Sequence, residues 1–302
     1  MSTAIEEREA STGELFDREP ADRLGRMQPL PWRGHAFRDA LPREQDAGAR
    51  ALGAAEAPTV AWFAISAAAR PPITAAIAVG DSVRRAVIAH SDGHPTFVGR
   101  VDGVPRTGHG HAFFLPSDDD GDGRLDRILI CARDGFDERA LRALARLQQA
   151  PIWGYGGPDL RLTTIATCRT TDVGGVASEA MRGRAAQIGP ARIWESYTPF
   201  VPPRFPRKRG GRAVDTVEAQ ARQMIAGLGL PAPLTIEELP GEATPAGVPW
   251  QRFLLRRQRG GGARGPGRGH GLRLAFAGPV SGPIALGHGA HQGLGQFVAM
   301  AR

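Results

Sequence analysis

The chain has 302 residues, 41% apolar and 23% charged, with 38 basic and 31 acidic side chains and a net charge of +7; this allows two domains with packed cores and excludes wholesale disorder. Lys occurs once, at Lys208, so there is no Gly-rich Lys-Ser/Thr phosphate loop and Schiff-base chemistry is improbable; Cys131 and Cys168 alone exclude a Cys-rich zinc site or disulfide scaffold. The acidic start (Met1 to Glu9) has no apolar signal core and the apolar run Ala57 to Ala69 is too short to span a bilayer, so a cytoplasmic protein with no membrane partner is expected.

Residues 1–55 are charged, Pro-broken and poor in aliphatics, and read as a disordered or loosely attached leader. A first domain is expected over 56–172. Thr59 to Ile65 is a β-rich run, stopped by Pro71-Pro72. Thr74 would cap a helix over about Ala75 to His90, with Ile73, Ile77, Gly80, Val83 and Val87 on one face and Arg84 and Arg85 pointing outward. His109 to Leu115 and Arg124 to Cys131 read as two strands joined by the acidic turn Asp118 to Gly123. Asp137 opens an amphipathic helix to Leu147, and Leu160 to Thr167 is a further strand. The order strand–helix–strand–strand–helix–strand is the split β-α-β, ferredoxin-like pattern.

A second α+β domain is expected over 190–302, after a small-residue linker. Residues 190–214 read as a Pro-rich and then basic loop. Asp215-Thr-Val-Glu218 resembles a capping box for a helix to about Gly227. Leu234 to Leu239, Trp250 to Leu255, Leu272 to Phe276 and Ile284 to Leu286 are strand candidates.

Charge is unevenly placed: residues 1–150 carry 19 basic and 22 acidic groups, residues 151–302 carry 19 and 9, and no acid follows Glu242. A polyanionic partner for the second half follows. Arg204, Arg207, Lys208, Arg209 and Arg212 make a basic loop suited to a phosphate backbone, or simply a solvated one. Arg256 and Arg257 open an RGG-type stretch to Gly269, equally readable as a disordered inter-strand loop. His109 and His111, two apart on a presumed strand, would share a face with Phe113, an aromatic able to stack a base. His288 and His291 lie among Gly287, Gly289, Gly293 and Gly295, glycines that would let backbone N–H groups approach a phosphate, or that only form a tight turn. Asp118, Asp120, Asp122 and Gly123 match the start of a calcium loop, but the twelfth position is Leu129, so a hairpin turn with no metal is expected.

Four stretches together resemble the CRISPR repeat-processing endoribonucleases of the RAMP superfamily, in the form fused to a backbone subunit in type I-G (I-U) systems. They are Pro72 to Ala86, Gly108 to Pro116 with Asp118 to Arg124, Trp194 to Arg204, and Gly282 to Phe297. Residues 1–55 are too short for the fusion's backbone domain, and residues 287–295 hold none of the family's basic residues among the glycines. The resemblance implies two ferredoxin-like (RRM-type) domains in tandem. It also implies cofactor-free, metal-independent cleavage of CRISPR repeat RNA by its own 2′-hydroxyl, with other interference-complex subunits as further partners. His chemistry fits that reaction, with His111 as first choice for general acid/base and His109 and His291 behind it. The alternatives are a non-catalytic CRISPR RNA-binding subunit and a calcium-binding module on the acidic turn.

Overall fold

The computed structural model describes residues 57–101, 104–105, 109–172, 187–205, 207–209, 212–241, 243–244, 247–256 and 267–300. The leader and Arg257 lie outside them. The described chain runs β1 (Val60–Ser66), α1 (Ala76–His90), α2 (Pro95–Val98), β2 (Arg100–Val101), β3 (Val104–Pro105), β4 (Phe113–Ser117), β5 (Arg127–Cys131), α3 (Glu138–Arg146) and β6 (Arg161–Cys168). It continues through β7 (Ala191–Ser196), β8 (Arg207–Arg209), β9 (Arg212–Val214), α4 (Val217–Gly227), β10 (Thr235–Glu238), β11 (Leu272–Val280) and β12 (Phe297–Ala299).

The first sheet has the order β4-β5-β1-β6, all neighbours antiparallel. The second has the order β10-β11-β7-β12, again antiparallel throughout. With α1 and α3 as the two crossovers, the first sheet is a complete ferredoxin-like unit. The second repeats the strand order with α4 as its first crossover. Among the described residues, its second crossover is not a helix but the Gly-rich segment before β12, which holds only the 3-10 turn Ala290–Gln292. The fold is therefore α+β, with two ferredoxin-like domains in tandem.

Period-two alternation usually leaves one face of such a sheet in water. Here both faces of the first sheet are covered. Phe63, Phe114, Ile128 and Ile130 pack with Val79 and Val83 of α1 and Leu144 of α3. The opposite face, Trp62, Phe113, Leu115 and Leu129, joins a second core with Trp194, Ile225, Leu228, Leu274 and Leu286. Trp250 and Phe253, far along the chain, bury in the first core. All described residues belong to one compact unit. No helix among them is long and apolar enough to cross a membrane.

Several local expectations change. The strand expected from His109 starts only at Phe113: His109 has φ +53° and Gly110 lies flat against Asp134, so this segment is a turn. Trp250 to Leu255 is a 3-10 turn (Trp250–Arg252) because Trp250 is drawn inward instead of pairing in a sheet. Ile284 to Leu286 makes a single bridge, Ala285 to Gln296. β7 and β12 were hidden in a Pro-rich stretch and a short chain end. The cap of α4 is Thr216, accepting from Ala219 N at 3.1 Å, not Asp215. The chain enters α1 through the 3-10 turn Ile73–Ala75, and Thr74 makes no cap. Arg84 and Arg85 are half-buried: Arg84 donates to Val98 O and Arg85 reaches Asp81 and Gly154 O.

Candidate active site

Three histidines from two distant segments meet at the junction of the domains. His109 and His111 come from the turn entering β4, and His291 from the 3-10 turn Ala290–Gln292. The His291 ring lies between His111 and Phe113, each centroid 3.8 Å away and nearly parallel. His109 Nδ1 is 3.2 Å from His291 Nε2, and His291 Nδ1 is 3.1 Å from the carbonyl oxygen of Ala112. A carbonyl only accepts, so His291 Nδ1 carries the proton. In neutral His291, Nε2 is then an acceptor, and His109 must donate to it from Nδ1. That leaves His109 Nε2 as an unprotonated nitrogen, the form a general base requires.

The electrostatics agree. Burial pulls the His291 pKa down to about 3, with the neighbouring His111 and His109 and the Arg84 guanidinium adding to the effect against the bond to Ala112 O. Burial and the Arg133 guanidinium also lower His109 below the usual imidazole range. His291 is thus a fixed neutral ring, and His109 a base available at neutral pH. Phe113 is 6% exposed and stacked on His291, so it is not the free base-stacking platform that a strand would have offered.

The Gly-rich loop brings His291 here. Gly289, φ +73°, and Gly293, φ +102°, are in the left-handed region that favours glycine. A Cβ on Gly289 would lie 3.0 Å from Ile77 Cδ1, and one on Gly293 2.7 Å from Pro116 Cδ. Gly287 and Gly295 press similarly on Val201 and Leu286. Gly289 and Gly293 thus seat the loop on α1 and β4, while Gly287 and Gly295 pack on Val201 and Leu286, a packing that suits the tight turn, one of the two readings the sequence offered. Beneath it, buried Gln296 donates to Pro116 O at 3.0 Å and accepts from Gln187 at 2.7 Å. Tyr197 Oη donates to Asp118 O at 2.8 Å and accepts from Asp118 N at 2.5 Å. Neither Gln296 nor Tyr197 had a sequence signal beyond its presence in a matched stretch.

A cleft beside the cluster is lined by His109, Phe113, Met224, Leu228, Leu286 and His291. The helix α4, which supplies Met224 and is capped by Leu228, also holds Gln223, which accepts from Arg204 at 2.8 Å; Asp215 accepts from Arg204 at 3.3 Å. Arg204 is therefore partly engaged within the chain. Arg207, Lys208, Arg209 and Arg212 lie on the β8–β9 hairpin, where Arg207 is exposed. Phe205, beside them, is 69% exposed, an aromatic the sequence reading passed over. Arg256 is exposed after the Trp250 turn.

The acidic turn closes the β4–β5 hairpin. Asp118 accepts from Gly121 N and Gly123 N at 2.8 Å, and burial raises its pKa. Carboxylate oxygens of Asp118, Asp120 and Asp126 lie within 4.8 Å of one another. The guanidinium of Arg70 already pairs with Asp120, Asp122 and Asp126, which supplies the positive charge a cation would bring.

No family model and no curated protein matches the chain. Among solved structures it is similar to an RAMP protein binding different RNA substrates, at 14% identity and a TM-score of 0.44, over 80% of this chain and 100% of that one. It is also similar to a Cas6 product complex, at 13% identity and a TM-score of 0.37, over 81% of this chain and 100% of that one.

Proposed function

We propose that the protein is an RNA-processing endoribonuclease of the CRISPR repeat-processing kind, using histidine acid–base chemistry. The observation that carries this is the His109–His291–Ala112 chain of hydrogen bonds with His111 stacked on it. RNA cleavage by its own 2′-hydroxyl needs one group to take a proton and another to give one, both near neutral pH. His109 Nε2 takes the 2′-hydroxyl proton. The 2′-oxygen attacks the adjacent phosphorus and the bond to the 5′-oxygen breaks. Protonated His111 delivers its proton to that 5′-oxygen, leaving a 2′,3′-cyclic phosphate and a 5′-hydroxyl. His291 holds His109 in the required tautomer and does not itself titrate near neutrality. The order of importance expected from the sequence, with His111 first, thus becomes a division of labour with His109 as base.

The substrate class, CRISPR repeat RNA, comes from the four matched sequence stretches. The β8–β9 hairpin and Arg256 supply cations for its backbone. The test is single-turnover cleavage of a repeat hairpin in EDTA. Wild type should cut it, a substrate with a 2′-deoxy sugar at the scissile nucleotide should bind uncut, and His109→Ala and His111→Ala should each slow cleavage about 10²–10⁴-fold with binding retained. Wild-type rates in both variants would refute the mechanism. Tight binding with no cleavage by wild type would leave the chain a non-catalytic CRISPR RNA-binding subunit.

A further inference from the structure

A second cleft adjoins the histidine cleft, and the two share Phe113 and Leu228 in their walls. Its other lining groups include Thr59, Cys131, Arg133, Thr170 and Pro283. Phe113 and Leu228 are buried and form the wall between the two clefts, Pro283 is partly exposed, and the Thr59 and Thr170 hydroxyls bond to each other at 2.8 Å. Cys131 contributes bulk rather than chemistry, since burial pushes its thiol up to about 12. Arg133 is the cationic side chain of this lining. It lies two residues past the end of β5 and bends back to donate to the Leu228 carbonyl oxygen, a bond that fixes the guanidinium beside the shared wall. It is also near enough to His109 to lower that imidazole's pKa.

The chemistry proposed above has a gap that this placement fills. Charge builds on the phosphoryl oxygens as the 2′-oxygen attacks, and a fixed donor aimed at that charge is the usual way to stabilise it. His109 and His291 are held neutral, and the proton on His111 is committed to the leaving 5′-oxygen, so none of the three is a standing cation for the phosphoryl oxygens. A guanidinium offers several N–H donors in a planar fork, and one bond to Leu228 leaves others for a phosphate.

We propose that the cleft around Arg133 is a nucleotide subsite: Arg133 binds the phosphate joining the nucleotide at His109 to the one beyond the cleaved bond, and Pro283 with the Thr59–Thr170 pair lines the space beside that phosphate. This rests on the endoribonuclease reading and extends it to a substrate-binding residue that no motif of the sequence picks out.

The probe is a nucleoside 3′,5′-bisphosphate, one base with a phosphate on each side, with adenosine and uridine forms titrated calorimetrically into the full chain. Wild type should bind at least one form saturably. Arg133→Gln, which keeps an N–H for Leu228 O but loses the charge, should weaken binding about 10-fold or more, as expected for a lost charge-assisted contact. Arg133→Lys should fall between, because it keeps the charge without the fork. Absence of binding by wild type, or equal affinity in Arg133→Gln and wild type, overturns the subsite. Thermal melts of each variant establish that it is folded; if Arg133→Gln is not, Arg133→Lys decides by the same criterion. Cleavage of repeat RNA, measured in parallel, judges the nuclease reading separately. Arg133-dependent bisphosphate binding in a chain that cuts no RNA would refute the reaction and leave the subsite standing.

Discussion

Gly80 offers a sharp test of how the site is held. It lies inside α1, where Gly→Ala normally stabilises a helix by about 1 kcal/mol. Here an added Cβ would sit 2.8 Å from the carbonyl carbon of Gln292, closer still to its oxygen, and 3.0 Å from Phe114 O. All three are backbone atoms, so no flexible side chain can yield. The methyl must push the 290–292 turn away from α1. Overpacking of this kind costs about 1–3 kcal/mol, enough to cancel or reverse the helix-propensity gain. The same displacement moves His291 out from between His111 and Phe113 and lengthens its bond to His109. A shift of about 1 Å at a reacting group costs on the order of 10²-fold in rate. Gly80→Ala should therefore lower the urea midpoint and slow single-turnover cleavage of repeat RNA about 10–10²-fold, while affinity for the uncleavable 2′-deoxy substrate holds. A protein stabilised by about 1 kcal/mol that cuts at the wild-type rate would show that the loop is not seated through this contact.

Acid should destabilise the protein through His291. Its folded pKa is near 3 and the ordinary value is 6.5, so the unfolded chain takes up a proton that the folded one refuses. This contribution is complete above about pH 6.5 and is lost as the pH falls toward 3, at no more than about 1.4 kcal/mol per pH unit from this group; His291→Asn should flatten that part of the urea-unfolding profile, and an unchanged profile would count against the buried neutral ring. Neutralising Arg207, Lys208 and Arg209 together should reduce the slope of log K against log salt by about 2–3 for duplex RNA, and a constant slope would place the phosphates elsewhere. Phe205→Ala should weaken binding of single-stranded RNA by about 1–3 kcal/mol and Phe205→Trp should not, as read by fluorescence anisotropy, with equal affinities refuting a stacking role.

The sequence of this protein carries its local structure plainly. The β-rich run at β1, the Asp137-capped α3 and the acidic turn between β4 and β5 can all be read from a few adjacent residues, and their order gives the first ferredoxin-like unit. The second unit was harder because its strands β7 and β12 are short and lie beside prolines and glycines, and because a glycine loop stands where a second helix would be expected. The three candidate histidines were also visible as residue types. Their meeting was not: His109 and His291 are 182 positions apart, and only the docking of one domain on the other sets that distance. The same docking turned Phe113 inward, gave Gly289 and Gly293 α1 and β4 as neighbours, and put Arg133 beside the histidine cleft. Periodicity and capping act over a few residues, so the sequence by itself determined the elements and the chemical types available. Proton positions, pKa shifts and cleft walls depend on what packs across the domain junction, and that was decided only in the tertiary structure.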